Sequence, residues 1–102
     1  MLRLIEQHRA KLEQLCQRHQ VARLELFGSA ATGEFDSAVS DLDFLVEFLA
    51  LEPSQKADAY FGLLHGLEDL FGRKVDLVTK QAKQNRWFMR SVNAQRELLY
   101  AA

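Results

Sequence analysis

The stretch Val21–Phe48, VARLELFGSAATGEFDSAVSDLDFLVEF, decides the fold. Its opening, Val21–Phe27, alternates Ala22, Leu24 and Leu26 against Arg23 and Glu25, the period of two of a half-buried strand. The run stops at Gly28-Ser29. Small and polar residues from Gly28 to Ser40, with Gly33, Asp36 and Ser37 among them, predict a loop with room for one helical turn after Ser29. Asp41–Phe48 then reads as a second strand, with Leu42, Phe44, Val46 and Phe48 on one face and Asp41, Asp43, Leu45 and Glu47 on the other.

Working outward, residues 2–19 set Ile5, His8, Leu12, Leu15, Cys16 and His19 at three-to-four spacing, which predicts one amphipathic helix. After the second strand, Pro53-Ser54 opens a helix whose expected buried stripe is Ala57, Tyr60, Phe61, Leu64, Leu67 and Phe71, with Gly72 at the C-terminal cap and Gly62 and Gly66 weakening it. Lys74–Thr79 is a short β-branched run and a third strand, with Asp76 turned away from the face of Val75 and Leu77. Residues 85–100 read as a last helix starting near Asn85. The order is α-β-loop-β-α-β-α, an α/β (α+β) chain.

The 102 residues make one domain, 1–102, and 48% apolar with 26% charged residues suffices for a folded core. Five basic and two acidic groups fall in residues 1–23, four and eleven in 24–80, and four and one in 81–102. A net charge of −1 excludes binding of nucleic acid or anionic membrane by bulk charge, while the acidic middle is either a solvated face or a cation site. A single cysteine, Cys16, leaves no internal disulfide, and no apolar run reaches the length of a membrane span, so a cytoplasmic protein is expected.

Asp41 and Asp43 project from one strand face about 7 Å apart, a spacing that lets their oxygens share cations, and Asp76 completes a triad if its strand is a neighbour. Three acids without histidine or cysteine partners suit magnesium, which accepts a few carboxylates together with phosphate oxygens and water, better than zinc. Gly28-Ser29, at a strand end before a helical turn, offers backbone N–H groups and a hydroxyl to a phosphate. Each has a plainer reading: the Asp pair and Asp76 as solvated acids, Ser29 as a helix cap. Glu47 is peripheral on the acidic face. His8, His19 and His65 have no ligand-spaced companions and read as packing or interface groups, and Cys16 as buried and inert. Trp87-Phe88-Met89 exceeds what one helix face can bury and suggests an interface, with Arg86, Arg90 and Arg96 beside it.

GSAATGEFDSAVSDLDFLVEF, followed by GRKVDLVT and ending in RELLY, resembles the minimal nucleotidyltransferases of the DNA polymerase β superfamily over nearly the whole chain. The resemblance implies a three-stranded mixed sheet flanked by about four helices, palm-like, and transfer of a nucleoside monophosphate from a triphosphate, with two magnesium ions, to an acceptor hydroxyl. It assigns Gly28 and Ser29 to the triphosphate, Asp41 and Asp43 to the metals, and Asp76 to the third carboxylate beside the attacking hydroxyl.

Many members carry an arginine where GSAATG has Thr32, so a permanent cation is missing; Arg23, Arg73, Lys74 or a partner's basic residue are candidates to replace it. Stand-alone members resemble antitoxins whose companions are all-helical HEPN-type proteins, which implies ATP as substrate, AMP as the transferred group and a hydroxyl of that companion as acceptor. A homo-oligomer is compatible with this. The alternative is an antitoxin with weak or no catalysis that neutralises a helical partner by contact; a transferase acting on RNA or a small molecule ranks below both, because no acceptor-binding domain is encoded.

Overall fold

The computed structural model describes residues 3–27, 42–79 and 96–102. The chain begins with two helices, α1 (Arg3–Gln7) and α2 (Arg9–Arg18), followed by strand β1 (Val21–Phe27). Strand β2 (Leu42–Phe48), helix α3 (Pro53–Phe71), and strands β3 (Val75–Thr79) and β4 (Arg96–Ala101) complete it. The expected single helix over 2–19 is interrupted at His8, whose backbone (φ −114°, ψ 17°) leaves the helical region while its N–H donates to the Ile5 carbonyl at 3.1 Å. The apolar stripe crosses the break intact: Ile5, Leu12 and Cys16 are fully buried. Gln20, at φ 59°, turns the chain from α2 into β1.

The four strands form one mixed sheet in the order β3-β2-β1-β4, with β1 antiparallel to both neighbours and β2 parallel to β3. Two expectations are corrected here. The sheet has four strands where three were expected, because residues 96–100 pair with β1 as β4 instead of ending a helix. Leu98-Leu99 fits either period, but Leu98 is 44% exposed and Leu99 3%, the alternation of a strand. Pairing decides the matter: β1 presents backbone donors and acceptors on two sides, and β2 serves only one. Residues 85–95 and the turn after Ser29 lie outside the described residues, which hold three helices against about four expected.

Helices cover the sheet face that carries Leu24, Leu26, Leu42, Phe44, Val46, Val75 and Leu77, and these pack with Leu12, Cys16, Leu63, Leu67 and Phe71 into one core. The stripe of α3 is also corrected. Its buried residues are Ala59, Leu63, Leu67 and Phe71, with Tyr60 and Leu64 half-buried, whereas Ala57 is exposed and Phe61 is 54% exposed. The consecutive run Ala59-Tyr60-Phe61-Gly62-Leu63-Leu64 lets a stripe be drawn on several faces. Close approach to α2 selects one: a Cβ at Gly62 would stand 2.6 Å from the His19 ring, and one at Gly66 would stand 2.6 Å from the Leu15 side chain. These glycines are the places where α2 crosses α3.

Pro53 occupies the first helical turn of α3, and the Glu52 N–H donates to Gln55 Oε1 at 3.1 Å. Gly72 ends the helix at φ 64°, its N–H donating to the Glu68 carbonyl at 2.8 Å. Nothing lies within 4 Å of where its Cβ would be, so a Gly72→Ala variant pays only the left-handed backbone cost, about 1 kcal/mol. Urea denaturation should show that loss with an unchanged slope.

Candidate active site

Asp43 and Asp76 are each the second residue of their strand, and the parallel register of β2 and β3 makes them direct partners. Neighbouring strands lie about 4.8 Å apart, so the two carboxylates stand side by side on the sheet face opposite the helices. Asp43 is half-buried and Asp76 exposed. On the other side of β2, Asp43 pairs with Phe27, the last residue of β1. Gly28, Ser29 and Asp41 lie outside the described residues, as does Thr32. Their chain neighbours Phe27 and Leu42 stand at the same sheet end as Asp43 and Asp76.

Among the described residues no three histidines, cysteines or acids gather into a complete metal cage. The pair Asp43 and Asp76 nevertheless fits magnesium: two hard oxygen donors on adjacent strands leave the remaining positions to phosphate oxygens and water. Of the residues named to replace the missing arginine cation, Arg23 is engaged elsewhere. Its Nε donates to Glu25 Oε1 at 3.0 Å, and it sits four residues, about 13 Å, up β1 from Phe27. Arg73 and Lys74 immediately precede Val75, and the Lys74 carbonyl accepts from the Leu42 N–H at 3.3 Å, which puts both at the Asp43 and Asp76 end.

Three residues escaped the sequence reading. Glu25 is 2% exposed, the one buried charged side chain among the described residues; its position two from Arg23 on the same strand face was the available signal. Tyr60 donates its hydroxyl to the Leu77 carbonyl at 2.7 Å, and Glu68 Oε2 accepts from the Val75 N–H at 3.4 Å. Burial, and after it the negative charge of Asp76, pushes the Tyr60 phenol up. No local pattern announces either contact, since both cross from helix to strand. His8 and His19 pack against α3, His8 meeting Phe71 edge-on at 5.6 Å and the His19 ring lying over Gly62, whereas His65 is exposed; burial, then Glu13, pushes the Cys16 thiol up to about 12, too weakly acidic to serve as a nucleophile.

The model of the nucleotidyltransferase domain family matches residues 8–100. This chain belongs to that family. It is a nucleotidyltransferase, and its mixed α/β architecture around a four-stranded sheet is the fold of its solved neighbours. A Methanocaldococcus jannaschii protein named "Putative protein adenylyltransferase MJ1379" is 35% identical over 83 residues, 81% of this chain and 79% of that one. A solved structure described as a "putative minimal nucleotidyltransferase" is 32% identical, covers 90% of this chain and 89% of its own, and superposes with a TM-score of 0.72. The toxin–antitoxin MntA-HpeT crystal structure shares the fold at 20% identity and a TM-score of 0.67, covering 92% of this nucleotidyltransferase and 73% of its own chain. Among the described residues no helix of the nucleotidyltransferase is long and apolar enough to cross a membrane.

Proposed function

We propose that this nucleotidyltransferase moves AMP from ATP to a hydroxyl of a partner protein, and that it is the antitoxin of a pair whose toxin is a helical, HEPN-type protein. The observation that carries the reading is the in-register pair of Asp43 and Asp76 beside the end of β1. The name of the archaeal relative supports protein as acceptor, and the toxin–antitoxin neighbour supports the pairing.

In this reading the acceptor oxygen attacks the α-phosphorus, the bond to the bridging oxygen toward the β-phosphorus breaks, and pyrophosphate leaves. Asp76 orients the acceptor hydroxyl and takes up its proton. Asp41 and Asp43 would hold magnesium together with Asp76, and Gly28 and Ser29 hold the phosphates. Bound there, divalent cations supply charge neutralisation for the attacking and leaving oxygens. Arg73 and Lys74, at the same sheet end, stand in for the cation that Thr32 lacks.

Intact-mass spectrometry of the protein with ATP, magnesium and the product of the adjacent gene tests this. A gain of one or more AMP units on the partner is expected. A stable complex without added mass for any nucleotide overturns transfer to that partner and leaves neutralisation by contact, the reading that Thr32 favours, as the better account.

A further inference from the structure

We infer that Tyr60 and Glu68 of α3 are positioning residues for Asp76, gripping the peptide groups on either side of it and holding β3 in register with β2. The functional meaning rests on the proposed metal-dependent transfer; the clamp itself rests on hydrogen-bond geometry.

Strand β3 is the outer strand of the described sheet and has β2 on one side only. The Leu42 N–H donates to the Lys74 carbonyl. Backbone groups of a parallel strand face the same neighbour at alternate residues, so Asp76 also turns its backbone to β2, while Val75 and Leu77 turn theirs to the outer edge. An edge strand with unmet backbone groups frays and slips more readily than a central one. Here α3 meets two of those groups. Tyr60 donates to the Leu77 carbonyl at 2.7 Å and Glu68 accepts from the Val75 N–H at 3.4 Å, so the contacts bracket Asp76. Tyr60 and Glu68 lie about two helical turns apart, and the helix runs opposite to β3, which lets one rigid element reach both peptides.

The bracketing has a clear purpose at this position. Asp76 is exposed, so burial does little to fix it, yet a metal-holding carboxylate must be placed within about 0.5 Å. A slip of β3 by one residue would send Asp76 to the helix face and set Val75 or Leu77 opposite Asp43. Locking the outer peptides from α3 prevents that without putting any further side chain among the acids.

The test compares the full chain with Tyr60→Phe/Glu68→Ala and with Tyr60→Phe/Glu68→Gln, in which glutamine keeps an acceptor oxygen. Amide hydrogen exchange without metal, Mn2+ affinity and transfer kinetics are read. In the alanine double variant, exchange at the Asp76 and Val78 amides should quicken about tenfold while β1 amides stay unchanged. Mn2+ affinity and kcat should each fall about tenfold with KM for ATP unchanged, at the lower end of what losing an outer partner of a metal-holding carboxylate does. The glutamine variant should recover part of both. Unchanged exchange in β3, or quickening spread evenly over all strands, overturns the clamp. Local quickening in a protein whose wild type transfers no nucleotide upholds the clamp and overturns the transfer reading instead.

Discussion

Replacing Asp43 by Asn should cut nucleotidyl transfer by about 10²–10³-fold, while leaving the protein about as stable as wild type. The two effects have one origin. Asp43 and Asp76 are direct cross-strand partners of like charge, and such a pair costs a sheet a few tenths of a kcal/mol to about 1 kcal/mol. Asparagine has the same shape and keeps an acceptor oxygen, so it removes the repulsion between Asp43 and Asp76 while preserving the size of the side chain. The charge that strains the sheet without metal is the charge that would hold magnesium with it, and removing a preorganised charge from such a site costs about 10²–10³ in rate.

Thermal unfolding with and without magnesium gives an independent check, because a ligand that binds only the folded state raises its melting temperature. Wild type should gain stability from magnesium, and Asp43→Asn should gain little. Transfer retained within tenfold of wild type would remove Asp43 from the site. A variant that loses activity and stability together would make it a structural residue.

The face of Asp43 was legible because strand alternation is a local rule. Leu42, Phe44 and Val46 had to share a side of one strand, and Val75 and Leu77 a side of the other, so Asp43 and Asp76 had to leave it. Their partnership was not legible, since the register of parallel strands is set by a crossover helix and its packing, and residue types on β2 and β3 do not encode it. β4 was missed for a similar reason. Arg96–Tyr100 has the composition of a helix end and becomes a strand because β1 needs a partner there.

The α3 stripe failed where apolar residues crowd. Gly62 and Gly66 were read as weak points of the helix, yet they mark the face that meets His19 and Leu15. Tyr60 and Glu68 belong to the same class of omission: their targets are backbone atoms more than six residues away, and no spacing rule points to them.

The largest stability effect should come from Phe44, which is fully buried on β2 and stacks on Phe71 with ring centroids 6.1 Å apart and an interplanar angle of 22°. Truncation to alanine removes a ring from a site that the sheet on one side and α3 on the other cannot collapse around, and such changes cost about 3–5 kcal/mol. A domain of this size has about 5–15 kcal/mol in total, so the variant is left marginal, with its melting temperature lowered by about 12 °C or more. Phe61→Ala supplies the contrast. Phe61 is 54% exposed, and its removal should cost about 1 kcal/mol at most, chiefly its edge-on contact with the Tyr60 ring at 5.1 Å.

Measured together by urea denaturation, the two variants decide which face of α3 is buried, because the stripe read from sequence makes Phe61 a core residue. A large loss at Phe61 would reinstate that stripe, whereas a small one leaves Leu63 inward in its place. The consequence reaches the acids, since Phe44 follows Asp43 on the same strand: a cavity on one face of β2 loosens the register that the other face depends on. Phe44→Ala should therefore bind Mn2+ more weakly than Phe61→Ala even at temperatures where both remain folded.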